Sequence, residues 1–163
     1  MDTRAAFTDK EWKQVKDLPS YAALLIVSSG GTGPMQMVME STAAAKVIAG
    51  SAANPDPLVA AVVADLSHRD DTDKPKPPED TKSREAFRGL VLTQAAAVTA
   101  LVTEKTPDSA KPYADWVLAL AHKVAEAAKE HSVLGIGGVR VSPEEETALA
   151  DLATALSGTT PTP

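Results

Sequence analysis

His122, Glu126 and Glu130 recur at intervals of four, which on a helix stacks one imidazole and two carboxylates along one side. Imidazole with carboxylates is metal-ligand chemistry. The same side carries Lys123 and Lys129 and lies opposite Trp116 and Val124, so ordinary salt bridging along a solvated face explains the pattern better. A second acidic group, Glu144-Glu145-Glu146, follows Ser142-Pro143. Glu144 and Glu145 complete the candidate metal set, although Ser142 and Glu145 also have the spacing of a helix capping box.

Two glycine-rich stretches are the other places where a ligand could sit. Gly135, Gly137, Gly138 and Arg140 form the less ordinary one, because a plain turn needs a single glycine and each additional one costs conformational entropy. Gly-x-Gly-Gly faintly resembles a dinucleotide fingerprint, but the spacing is wrong and no βαβ unit surrounds it. The three glutamates that follow would compete with a phosphate for the positive end of their helix, and Arg140 is best read as pairing with one of them. The other stretch, Ser28 to Gly33, can present N–H groups to an anion, yet it ends Gly-Pro-Met rather than Gly-Lys-Ser, so a helix–helix turn is the better reading. Met35, Met37 and Met39 suit an adaptable binding surface or, more commonly, packing. Pro75 to Pro78 matches a polyproline ligand in form and a spacer in composition. No Gly-x-Ser-x-Gly elbow is present and no Ser/His/Asp set can be argued, so no catalytic residue and no cofactor are named.

The elements that must position these residues read as about seven short helices. Thr8 and Glu11 form a capping box, with Phe7 and Trp12 placed as a hydrophobic staple, for a helix ending before Pro19. A second helix runs from Pro19, at a first-turn position, to Ser28. The third covers Pro34 to Ala49. The fourth follows the cap cluster Asn54-Pro55-Asp56-Pro57, with Leu58, Val59, Val62, Val63 and Leu66 on its stripe. Ser67 to Thr81 holds almost nothing apolar and reads as a solvated linker. The fifth helix spans about Lys82 to Glu104, with Phe87, Leu90, Val91, Ala97, Val98, Leu101 and Val102 on one face. The sixth spans about Ser109 to His131, with Pro112 tolerated in its first turn. Val139 to Val141 reads as one short extended piece. Ser142 caps the seventh helix, Gly158 stops it, and 158–163 form a loose tail. The fold class is therefore an all-α bundle forming one domain over 1–163.

Val124-Ala125-Glu126-Ala127-Ala128-Lys129-Glu130, then Leu134 to Ser142, then Glu145, resembles a small bacterial family of all-helical proteins, as do Trp12 and the stretch near Gly33. That resemblance implies the fold and no particular activity. More distantly, Val141-Ser142-Pro143-Glu144-Glu145 is similar to a helix start in tellurite-resistance TerB-like domains, which implies a cation-binding or stress-response module. Where those domains have Ala-Asp-Gly, this chain has Ile136-Gly137-Gly138.

Composition bounds the rest. With 163 residues, 44% hydrophobic and only 4% aromatic, the core must be built from Ala, Val and Leu. A net charge of −6 and no basic stripe oppose nucleic-acid binding. Zero cysteines exclude disulfides and thiolate chemistry. Met1 to Ala6 lacks a signal-like apolar run, and no stretch approaches the roughly 20 apolar residues of a membrane span, so a soluble, cytoplasmic setting without membrane contact is expected. The leading expectation is a non-enzymatic helical domain acting through protein contacts or self-association, for instance as a homodimer. The alternatives are the TerB-like cation module and a small-ligand carrier or enzyme with an interhelical pocket near Gly135 to Gly138.

Overall fold

A computed structural model describes residues 3–30, 34–70, 83–130 and 141–158, with side chains placed for all of these except 30–41 and 128–130. A 3-10 turn, Thr3–Ala6, precedes six helices: α1 Asp9–Gly30, α2 Pro34–Gly50, α3 Pro57–Ser67, α4 Arg84–Lys105, α5 Pro107–Glu130 and α6 Pro143–Leu156. No strand occurs among the described residues. α1 touches all five other helices, and α5 packs on every other helix as well. The core is built as the composition requires, from Val15, Leu18, Ala22, Leu25 and Ile26 of α1 against Val62, Val98, Val117, Leu120, Ala121, Leu152 and Ala155.

The two helices expected on either side of Pro19 are one continuous α1, so the described residues hold six helices where about seven were expected. Proline normally ends a helix because it lacks an N–H and crowds the carbonyl four residues earlier. What overrides that rule here is tertiary and is described below. α5 likewise starts at Pro107, two residues earlier than expected, because Thr106 alone joins it to α4. Pro112 therefore sits in the second turn rather than the first. Its missing N–H leaves the Asp108 carbonyl without a helical partner, but Asp108 is exposed and water can serve it.

Local end signals place the remaining boundaries. Thr8 N–H donates to Glu11 Oε2 (2.7 Å) and Glu11 N–H to Thr8 Oγ1 (3.3 Å), closing the capping box. The Phe7 and Trp12 rings, both buried, lie 5.9 Å apart as the staple. Asp56 accepts the N–H groups of Leu58 and Val59, both at 3.0 Å, and Ser83 accepts that of Ala86. Ser142 and Glu145 form the second capping box. Gly158 leaves α6 at φ +80°, a left-handed conformation that glycine adopts without a Cβ clash.

Of the stretch 67–81 expected as a linker, only the first four residues are described. Ser67 belongs to α3, His68 caps it, and Arg69 is buried; 71–82 lie outside the described residues. The short extended piece at Val139 to Val141 falls there too, apart from Val141. A further difference concerns α4, which is long and apolar enough by length and composition to cross a membrane. Seven of its side chains, Phe87, Val91, Leu92, Ala95, Val98, Thr99 and Val102, are nonetheless buried inside this bundle.

Glu11 also receives the ammonium of Lys105 at 3.2 Å. Its hydrogen bonds from Thr8, first from the backbone and then from the hydroxyl, and the nearby Lys105 hold its carboxyl below the usual glutamate value of 4.5. A carboxyl lowered on folding contributes stability above its unfolded pKa, and that contribution is lost as pH falls through the folded value. Glu11→Gln keeps the capping geometry but not the charge. The wild type should therefore be the more stable at pH 7, and the difference in Tm should shrink to nothing on acidification below about pH 4.5; thermal unfolding across that range measures it.

Candidate functional site

The chain's least expected chemistry lies along α1 around Pro19. Because Pro19 has no N–H, the carbonyl of Val15, four residues earlier, lacks its helical donor. Val15 is 0% exposed, so water cannot supply one. The donor is the hydroxyl of Tyr113 on α5, 2.6 Å from that carbonyl oxygen. Tyr113 is itself 1% exposed, with its ring 6.3 Å from that of Trp116. Burial first, and then the charge of Asp17, push its phenol well above the ordinary tyrosine range, so the hydroxyl stays protonated and donates.

Asp17 is the second member of this cluster. Its carboxylate is almost fully buried, taking Arg69 of the α3 exit on one oxygen at 2.5 Å and Lys13 on the other at 2.8 Å. The Arg69 side chain is 5% exposed. One turn closer to the N-terminus, Trp12 Nε1–H donates to Asp65 of α3 at 2.6 Å, and the Arg4 guanidinium lies 5.4 Å from the Trp12 ring centre. Tyr113, Asp17, Arg69 and Trp12 each make a hydrogen bond or ion pair to a neighbour in the cluster. The arrangement fixes α1, α3 and α5 against one another.

An open groove of about 350 Å³ lies on another side, between α4, α5 and α6. Ala110, Ala114, Leu118, Ala153 and Leu156 supply its apolar lining, and Thr103, Lys111, Asp115 and Ser157 its polar groups. Lys111 and Asp115 pair with each other at 2.5 Å, and both are largely exposed.

The candidate metal ligands whose side chains are described lie on α5 and α6. His122 and Glu126 are exposed on α5, and Glu126 pairs with Lys123 at 3.2 Å. The side chain of Glu130 lies outside the described residues. Glu145 is buried with its carboxylate on the Ser142 N–H at 3.0 Å, so its oxygen closes a cap, while Glu144 is exposed. No group of three or more His, Asp or Glu side chains placed to hold a metal occurs among the described residues. Gly135, Gly137, Gly138 and Arg140 lie outside them, as do the side chains of Met35, Met37 and Met39. Sequence reasoning missed Asp17, Arg69 and Tyr113. The available signal was Pro19 itself, four residues after an apolar Val15: a continuous helix there demands an outside donor.

No family model matches the chain, and neither a curated protein nor a solved structure was found to match it.

Two consequences can be measured. Tyr113→Phe leaves the Val15 carbonyl buried and bare and should cost about 1–3 kcal/mol. In a Pro19→Ala background the restored backbone N–H takes over, so the same change should be nearly neutral, with a coupling of about 1 kcal/mol or more in a denaturation double-mutant cycle. Arg69→Met strands Asp17 with a single partner and should destabilise by about 3 kcal/mol, an effect that Asp17→Asn in the same chain should relieve in part.

Proposed function

We propose that this chain is a non-enzymatic helical domain acting through protein contacts, with self-association as the leading mode and α2 as the contact surface. The observation that carries the reading is the mismatch between the composition of α2 and its burial. Pro34–Gly50 contains one acidic and one basic residue in 17, a composition suited to a core. Yet from Thr42 to Gly50 no side chain is buried: Ala44, Val47 and Ile48 are only half-covered, and Ala45 and Ala49 are exposed. Apolar surface kept in water favours association, and small side chains permit a close approach of a second helix. The negative net charge supports a protein partner over a nucleic acid. An aqueous, cytoplasmic setting without membrane insertion belongs to the same reading, and the burial of seven of α4's 22 residues inside the bundle is consistent with it.

Light scattering coupled to size exclusion, run over a concentration series, tests this. A dimer in the wild type that Ala45→Glu and Ala49→Glu convert to a folded monomer, with helical circular dichroism unchanged, is the expected result. A wild type that stays monomeric at every concentration and retains no protein in a pull-down rejects the proposal.

A further inference from the structure

The polar side chains along the groove between α4, α5 and α6 are already engaged. Thr99 and Thr103 donate to carbonyls one turn back in α4, at 2.8 and 2.7 Å. Ser157 donates to the Thr154 carbonyl at 2.6 Å, and Lys111 pairs with Asp115 at 2.5 Å. A small ligand is oriented by a few convergent polar groups, and here those groups are spent within their own helices or helix ends. What the groove offers is shape and the apolar surface of Ala110, Ala114, Leu118, Ala153 and Leu156. An apolar helix face asks for no more than that. The chain carries such a face on α2, where Ala45 and Ala49 are exposed and Ala44, Val47 and Ile48 half-covered. That face cannot reach the groove of its own molecule. α2 packs on α1, α3 and α5, and Trp116 of α5 donates its indole N–H to Ser51, directly after α2, at 2.9 Å. Ala114 and Leu118, which line the groove, stand two positions to either side of Trp116, about 200° around the helix. α2 and the groove therefore lie on opposite sides of α5.

Charge selects the same pair of surfaces. Each copy has a net charge of −6, so two copies repel one another over most of their surface. The groove, with Lys111 and Asp115, and α2, with Glu40 and Lys46, are each neutral in sum. Lys46, exposed beside Ala45 and Ala49, also carries the charge opposite to that of Asp115. We infer that the groove between α4, α5 and α6 receives α2 of a second copy, so that copies join head to tail. The inference rests on the reading of α2 as a contact surface and adds what covers it. Because the two surfaces lie on opposite sides of α5, a joined pair keeps one α2 and one groove uncovered. Further copies then add, until the assembly closes as a ring or continues as a filament. A two-fold contact of α2 on α2 would instead stop at two copies.

Light scattering coupled to size exclusion tests the arrangement on the wild type, on Ala45→Glu, which blocks α2, on Ala114→Glu, which blocks the groove, and on an equimolar mixture of the two variants. The wild type is expected to pass from a dimer to larger species as its concentration rises. Each variant alone is expected to be a monomer. The mixture is expected to form a dimer and nothing larger, because only one intact α2 and one intact groove are left to meet. A wild type that stops at a dimer, or an Ala114→Glu variant that associates like the wild type, overturns the inference and leaves the α2 reading standing. A mixture that stays monomeric also overturns it. A wild type that is monomeric at every concentration rejects the head-to-tail contact together with self-association through α2. If circular dichroism shows that Ala114→Glu does not fold, Thr103→Arg, at an exposed position on the same groove, takes its place with the same expected outcomes.

Discussion

A single hydrogen bond, from the Tyr113 hydroxyl to the Val15 carbonyl, allows α1 to be one helix. α1, like α5, is an element against which every other helix packs. Two separate helices with a break at Pro19 would leave the chain free to change direction there. The core residues on either side, Val15 and Leu18 before the proline and Ala22, Leu25 and Ile26 after it, would then not share one axis. A buried carbonyl with no donor is a substantial penalty, and water is shut out at Val15. The donor therefore has to come from a side chain of another helix, and it has to remain protonated. Burial of the phenol beside the Asp17 carboxylate meets both conditions.

The ionic cluster next to this bond works in the same direction. Taking Asp17 and Arg69 out of water is costly, and a hydrophobic pair of similar size would serve stability as well or better. What the charged pair adds is direction. It fixes the end of α3 on one turn of α1, where a purely apolar contact would tolerate sliding. Together with Trp12 on Asp65, it makes the N-terminal half of α1, α3 and the start of α5 the firmly located part of the molecule. The described side chains of α2, Thr42 to Gly50, stand at the other extreme, with none of them buried.

Two of the candidate carboxylates, Glu126 and Glu145, have structural partners of their own. Glu126 pairs with Lys123 along a helix face, and Glu145 is consumed by its capping box. Carboxylates at helical spacing next to lysines, and three glutamates at a helix start, are favoured by side-chain pairing and by the helix dipole without any ligand. That double meaning is why such patterns were legible as structure and not as a site.

Signals confined to a few neighbouring residues were sufficient for much of this protein. The capping boxes at Thr8 and Ser142, the Phe7–Trp12 staple, the Asp56 cap, the valine stripe of α3 and the glycine stop at Gly158 depend on local hydrogen bonds and periodicity, and the sequence by itself determined them. So was the all-helical class, with its core of small aliphatic side chains. The tertiary structure alone decided the continuity of α1 through Pro19, because the donor that makes it tolerable stands 98 positions away. It also decided the burial of the Arg69 side chain, which sits at the edge of a charged, proline-rich stretch and pairs with Asp17, 52 positions earlier. Local sequence fixes which bonds a segment can make for itself. Whether a missing bond or a charge can be tolerated depends on what the rest of the chain brings against it.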